Sequence, residues 1–116
     1  NDFCQELYMS EDDIKKLISE GMYVGSHTYN HFWLSSFNYN LQLKEINLSM
    51  EFLEKIGAPT KNWIMCYPYG DYNKDTLKIL KKLNCVIGIT TKVDKVLLGE
   101  SDPLQYSRFD TNDYPQ

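Results

Sequence analysis

Three short, continuous apolar runs, residues 22–26, 62–67 and 85–91, are separated by stretches whose apolar residues recur at helical spacing. That alternation leaves few folds open. A strand covered on both faces of its sheet reads as a continuous apolar run, and strands that alternate with helices are joined by crossovers and lie parallel. The expected fold class is therefore α/β, with parallel strands and covering helices. Ser10 caps the first helix, with Glu11, Asp12 and Asp13 in its opening turn, Ile14, Leu17 and Ile18 as its apolar stripe and Gly21 just past its end. The spacing predicts a second helix over residues 40–56, stopped by Gly57 and Pro59. Its polar arc is Lys44, Asn47, Glu51, Glu54 and Lys55, and Leu41, Leu48, Phe52, Leu53 and Ile56 turn elsewhere. Glu45 falls inside the apolar arc; it reads either as a slip in the helical phase, the preferred reading, or as a carboxylate aimed at a specific partner.

Asn73 can cap a third helix, with Asp75 near its positive end and Leu77, Leu80 and Leu83 at core spacing. The run at 85–91 is a buried strand, residues 92–103 are a loop, and residues 106–109 add a final short strand. Ligands of parallel α/β folds gather at the C-terminal ends of the strands. His27 and His31 follow the first strand, residues 68–71 the second and residues 92–94 the third, so three loops share one rim. His27 and His31 are the only histidines, and two neutral imidazoles four residues apart can close on one metal ion.

Composition excludes several classes. A length of 116 residues allows one small domain, residues 1–116. A net charge of -4 with a single arginine argues against a nucleic-acid partner, which requires a basic stripe. No run approaches the length of a membrane span, and the opening residues lack the basic and apolar regions of a signal peptide, so the compartment stays open. Cys4, Cys66 and Cys85 form no Cys-x-x-Cys pair, and the latter two sit in apolar runs and read as core. The sequon at Asn47-Leu-Ser49 lies inside a predicted helix and is discarded.

The combination of Val24-Gly-Ser-His-Thr-Tyr-Asn-His31, a helix, and then Cys66-Tyr-Pro-Tyr-Gly-Asp-Tyr-Asn73 resembles the polysaccharide deacetylases, the NodB-homology or carbohydrate esterase family 4 domain. The resemblance covers residues from about 8 to 113. It implies part of a distorted (β/α) barrel and hydrolysis of acetyl groups on an acetylated carbohydrate. It also implies a divalent metal, usually zinc, with His27 and His31 matching two of its ligands. Tyr69 matches the residue whose backbone N–H meets the oxyanion, and its ring, Pro68 and Tyr72 would line the sugar groove. Among the other aromatic residues, Trp33, Phe37 and Tyr39 stay open between core and interface, with Phe37 assigned to the core.

Three departures accompany the match. The family's Thr-Phe-Asp-Asp-Gly motif, which supplies the base and the third ligand, has no counterpart, and neither Asp2 nor the acids at 11–13 replace it. Cys66 stands where many members carry an arginine, and the late Leu-x-His motif is absent. Arg108, in Ser107-Arg-Phe-Asp-Thr-Asn-Asp113, is a candidate to do part of the missing arginine's work. The chain thus reads as the latter part of a deacetylase domain, with partial metal occupancy and no activity on its own, and with exposed sheet edges that favour a homo-oligomer. The alternative is a non-catalytic relative, a carbohydrate-binding or structural α/β module.

Overall fold

A computed structural model describes residues 2–114, and the side chains of Asp2, Phe3 and Gln5 lie outside the described set. Helix α1 spans Asp2–Leu7 and α2 spans Glu11–Ser19. The cap of α2 is a reciprocal box: Ser10 Oγ accepts from Asp13 N–H at 3.1 Å, and Asp13 Oδ2 accepts from Ser10 N–H at 2.8 Å. Ile14 and Ile18 pack against Leu53, Ile56 and Ala58, whereas Leu17 stays exposed.

Helix α3, Tyr39–Ile56, starts at Asn38, whose side chain accepts from Leu41 N–H, and ends at Gly57, which takes the left-handed conformation at φ 81°. Its buried face is Gln42, Glu45, Ile46, Ser49, Leu53 and Ile56, and the predicted polar arc faces solvent. Two expectations are corrected here. Leu41 is half exposed, and Glu45 is buried because it has partners, not because the phase slipped. The inward stripe carries three polar residues, so reading it from apolar residues alone rotated it.

Strand β1, Trp63–Cys66, lies parallel to β2, Cys85–Ile89, with helix α4, Lys74–Lys82, crossing between them. Asn73 caps α4 as expected, accepting from Thr76 N–H at 3.2 Å. The predicted strand at 22–26 reduces to one parallel bridge, Ser26 to Met65, with Ser26 N–H donating to Ile64 O and Cys66 N–H to Ser26 O, both at 2.9 Å. Met22 and Tyr23 are more than half exposed, because this segment has a neighbour on one side only among the described residues. The predicted final strand likewise reduces to a bridge between Ile89 and Tyr106. Four parallel segments therefore stand in the order Ser26, β1, β2, Tyr106. The α/β class with parallel strands holds; within the described residues the sheet does not close into a barrel.

Leu34, Ile46, Trp63, Met65, Tyr67, Ile79, Leu80, Cys85 and Leu104 form the main core, with Leu77 and Leu83 packed at its edge. Trp63 satisfies its buried indole by donating to Leu83 O at 2.8 Å. Gly88 permits the closest approach in this core: a Cβ there would run into the Tyr67 hydroxyl and Leu104 O, which are themselves bonded at 2.6 Å.

Candidate active site

The loop between Ser26 and α3 is held in an unusual shape. Thr28 and His31 both have positive φ, 62° and 59°, a conformation costly for any residue with a Cβ and most costly for a β-branched one. Specific bonds offset that cost. Thr28 N–H donates to Ser26 Oγ at 3.2 Å, and Asn30 donates both its backbone N–H and its amide Nδ2 to the two oxygens of buried Glu45, the latter at 2.9 Å. Glu45 thus clamps the residue just before His31. Ser26 Oγ is in turn 2.8 Å from Ser49 Oγ on α3, so the helix grips both ends of the loop.

This clamp sets the imidazoles side by side, with ring centroids 4.6 Å apart. His27 Nδ1 lies 2.7 Å from Cys66 O, which cannot donate, so Nδ1 carries a proton and in the neutral ring the lone pair is on Nε2. That is the arrangement by which a carbonyl orients a metal-ligating histidine. Among the described residues no group of three or more His, Cys, Asp or Glu side chains converges as a metal site. The donors that this cluster offers are the two imidazoles. Thr28 Oγ1 is buried with no partner among the described residues, and Thr28 lines, with His27, Val24, Phe52 and Leu53, a cavity of about 400 Å³.

Strand β1 delivers the second half of the site. Buried Pro68 begins a single turn in which Tyr69 takes φ 58°, Gly70 N–H donates to Tyr67 O and Asp71 N–H to Pro68 O. The Tyr69 N–H meets no acceptor among the described residues. Its ring lies edge-on to His31 at 4.7 Å and face to face with Trp33 at 4.2 Å and 4°. Gly70 is required here, since a side chain would overlap Thr91 and its φ is 70°. Ser35 seals the two loops together, donating from N–H and Oγ to the Asp71 carboxylate at 2.8 and 2.7 Å.

The sequence-predicted residues thus divide. His27, His31 and Tyr69 come into one cluster, with Pro68 beneath Tyr69. Tyr72 stacks on Tyr67 at 4.6 Å, donates to Gln105 Oε1 at 3.0 Å, and lines a neighbouring cleft of about 540 Å³ with Gly70, Thr90, Thr91, Lys92 and Gln105. Arg108 is exposed, its backbone donating to Lys92 O. Burial pushes the Cys66 thiol up, and the Arg108 guanidinium pulls it partway back. Cys66 is only half-buried; Cys85 is the core cysteine, its thiol pushed up to about 11 chiefly by burial. Phe37, assigned to the core, instead meets Phe32 edge-on at 5.3 Å and is half-buried. Sequence reasoning passed over the Ser35–Asp71 clamp and the Trp33–Tyr69 stack, which join residues some 36 positions apart and leave no local pattern.

Comparison with known proteins agrees with this fold. The polysaccharide deacetylase family profile matches residues 4–88. YxkH of Bacillus subtilis (strain 168) is 28% identical over 85 residues, 73% of this chain and 30% of that protein. The deacetylase PplD of Streptococcus pyogenes, solved in complex with acetate, superposes with a TM-score of 0.78 at 27% identity, covering 90% of this chain and 47% of that one. A polysaccharide deacetylase from Bacillus cereus superposes with a TM-score of 0.70 at 30% identity, over 86% of this chain and 31% of that one. The chain therefore spans between about a third and a half of the length of these relatives. On the family profile, which matches more than half of its length, the chain belongs to the polysaccharide deacetylase family.

Proposed function

We propose that this chain carries the histidine side of a metal-assisted deacetylase site and that the intact protein hydrolyses acetyl groups from an acetylated polysaccharide or cell-surface glycan. The observation that carries the reading is the His27–His31 pair, 4.6 Å between centroids, with His27 Nδ1 fixed on Cys66 O and Tyr69 against His31. Nε2 of His27 and a ring nitrogen of His31 would hold the ion. A divalent metal, usually zinc in this family, supplies the charge that acidifies a water and polarises the acetyl carbonyl. In the reaction, water oxygen adds to the carbonyl carbon, the bond from that carbon to the sugar nitrogen or oxygen breaks, and a proton goes to the leaving atom. The Tyr69 N–H, without an acceptor of its own, stabilises the oxyanion that develops. Arg108 adds positive potential at the Cys66 end of the site.

The 116-residue chain alone is expected to release no acetate. The two carboxylates that brace these loops are already engaged, Glu45 by Asn30 and Asp71 by Ser35, so neither is poised as a general base. Calorimetric titration with zinc tests the reading: weak binding is expected, abolished in His27→Ala and in His31→Ala. No binding by the unaltered chain would overturn it, as would acetate release from acetylated chitooligosaccharide or xylan by the chain alone for the inactivity. The same engaged carboxylates favour a second reading, a non-catalytic carbohydrate-binding relative. Acetate release by the full-length protein excludes it.

A further inference from the structure

Tyr69 and Gly70 are consecutive residues in the left-handed region, at φ 58° and 70°. A tyrosine holds that conformation only where its surroundings impose it. Inside the turn, Gly70 N–H donates to Tyr67 O at 2.9 Å and Asp71 N–H to Pro68 O at 3.0 Å. Those two bonds give the turn its shape but do not set where it stands relative to the histidines. Two others do. His27 Nδ1 meets Cys66 O three residues before Tyr69, and the Asp71 carboxylate takes Ser35 N–H and Oγ, at 2.8 and 2.7 Å, two residues after it. Ser35 is itself anchored, because it follows fully buried Leu34, and it stands four residues beyond His31.

The Tyr69 backbone is therefore moored on both sides to the segment that carries the imidazoles. The rings of His31 and Trp33 also touch the Tyr69 ring, but ring contacts tolerate sliding over a range of separations, whereas two hydrogen bonds to one carboxylate fix both distance and angle. Both oxygens of this half-buried carboxylate are spent on Ser35, so its contribution is geometric. Resting on the deacetylase reading, we propose that Asp71 is a positioning residue: its clasp on Ser35 fixes the Tyr69 N–H relative to the imidazole pair, so that the donor stands where the acetyl oxyanion forms. A donor preset for developing charge lowers the barrier without tightening substrate binding. Displacing such a group by about 1 Å costs on the order of 100-fold in rate.

The clasp can be kept while its charge is removed. In Asp71→Asn the amide oxygen accepts from Ser35 N–H and the NH2 donates to Ser35 Oγ, so both bonds persist, whereas Asp71→Ala loses both. In the isotope-labelled 116-residue chain, the Tyr69 amide of Asp71→Ala is expected to fall from an NMR order parameter of about 0.85 to below about 0.6. The Asn30 amide, held by Glu45, should not change, and Asp71→Asn should restore Tyr69. Dispersion of the remaining amides shows whether each variant folds; if Asp71→Ala does not, Ser35→Ala, which deletes only a hydroxyl from an exposed residue, gives the same change at smaller amplitude. In the full-length protein, kcat for acetate release from chitopentaose should fall roughly tenfold or more in Asp71→Ala with KM within about twofold, and Asp71→Asn should recover most of it. An unchanged Tyr69 amide in the clasp-free variant overturns the proposal. So does an Asp71→Asn variant as impaired as Asp71→Ala, since charge and not the clasp would then be at work. Absence of acetate release by the unaltered full-length protein counts against the deacetylase reading instead, because the Tyr69 amide is read without substrate or metal.

Discussion

Glu45 is a carboxylate on the buried face of α3, and its two oxygens take the N–H and amide of Asn30, the residue before His31. A glutamine offers one oxygen and one NH2, so Glu45→Gln turns a donor towards Asn30 and loses one charge-assisted bond. We expect a cost of about 1.5–3 kcal/mol for that bond, read as a lower midpoint of thermal unfolding. Zinc binding should fall in the same variant, because His31 would no longer be held at positive φ. Unaltered zinc affinity in Glu45→Gln would mean that the clamp does not position the imidazole. The four-residue spacing of the histidines was legible from the chain, as was the oddity of a carboxylate on that arc. Its meaning was not, since Asn30 is 15 positions away and the bond exists only once α3 packs over the loop.

At the level of elements, helix starts were the most legible feature, because capping is a local exchange between a side chain and backbone N–H groups within one turn. Ser10, Asn38 and Asn73 all cap, two of them as the sequence indicated. Asn73 does more than close α4. Its Oδ1 also accepts from Gln42 Nε2 at 3.1 Å, and Gln42 Oε1 accepts from Thr76 Oγ1 at 2.5 Å, a buried polar knot that docks α4 on α3. Asn73→Ala is expected to cost about 1–2 kcal/mol, seen as a lower denaturation midpoint in urea with an unchanged slope. Asn73→Asp, which keeps an acceptor for the cap, should lose much less. Strands were less legible, because an extended segment counts as one only when a neighbour pairs with it along its length. The run at 22–26 is apolar enough, yet it meets β1 at Ser26 alone.

On the scale of the whole molecule, the parallel segments run from Ser26 through β1 and β2 to Tyr106, and the side of Ser26 away from β1 has no strand beside it among the described residues. Among the described residues the backbone groups of Gly25 and His27 make no hydrogen bond to the backbone there, and the cavity lined by Ile14, Val24, Phe52 and Leu53 lies along the same segment. Unpaired strand edges beside apolar surface favour pairing with a second copy. Sedimentation of the 116-residue chain is expected to show a dimer or larger species, and a monodisperse monomer would refute this. No helix among the described residues is long and apolar enough to cross a membrane.

What the chain by itself determined is what neighbours in sequence decide: the α/β alternation, the capped helices, the paired histidines, and the Tyr67-Pro-Tyr-Gly70 turn that ends β1. Tertiary structure decided the rest. It chose which face of α3 turns inward, gave Glu45 and Asp71 their partners, laid Trp33 on Tyr69, and set His27 Nδ1 on a carbonyl 39 positions away. The physical reason is that hydrophobic periodicity and capping act within a turn or two of chain, whereas hydrogen bonds and ring stacks between distant segments depend on where the packed core carries them.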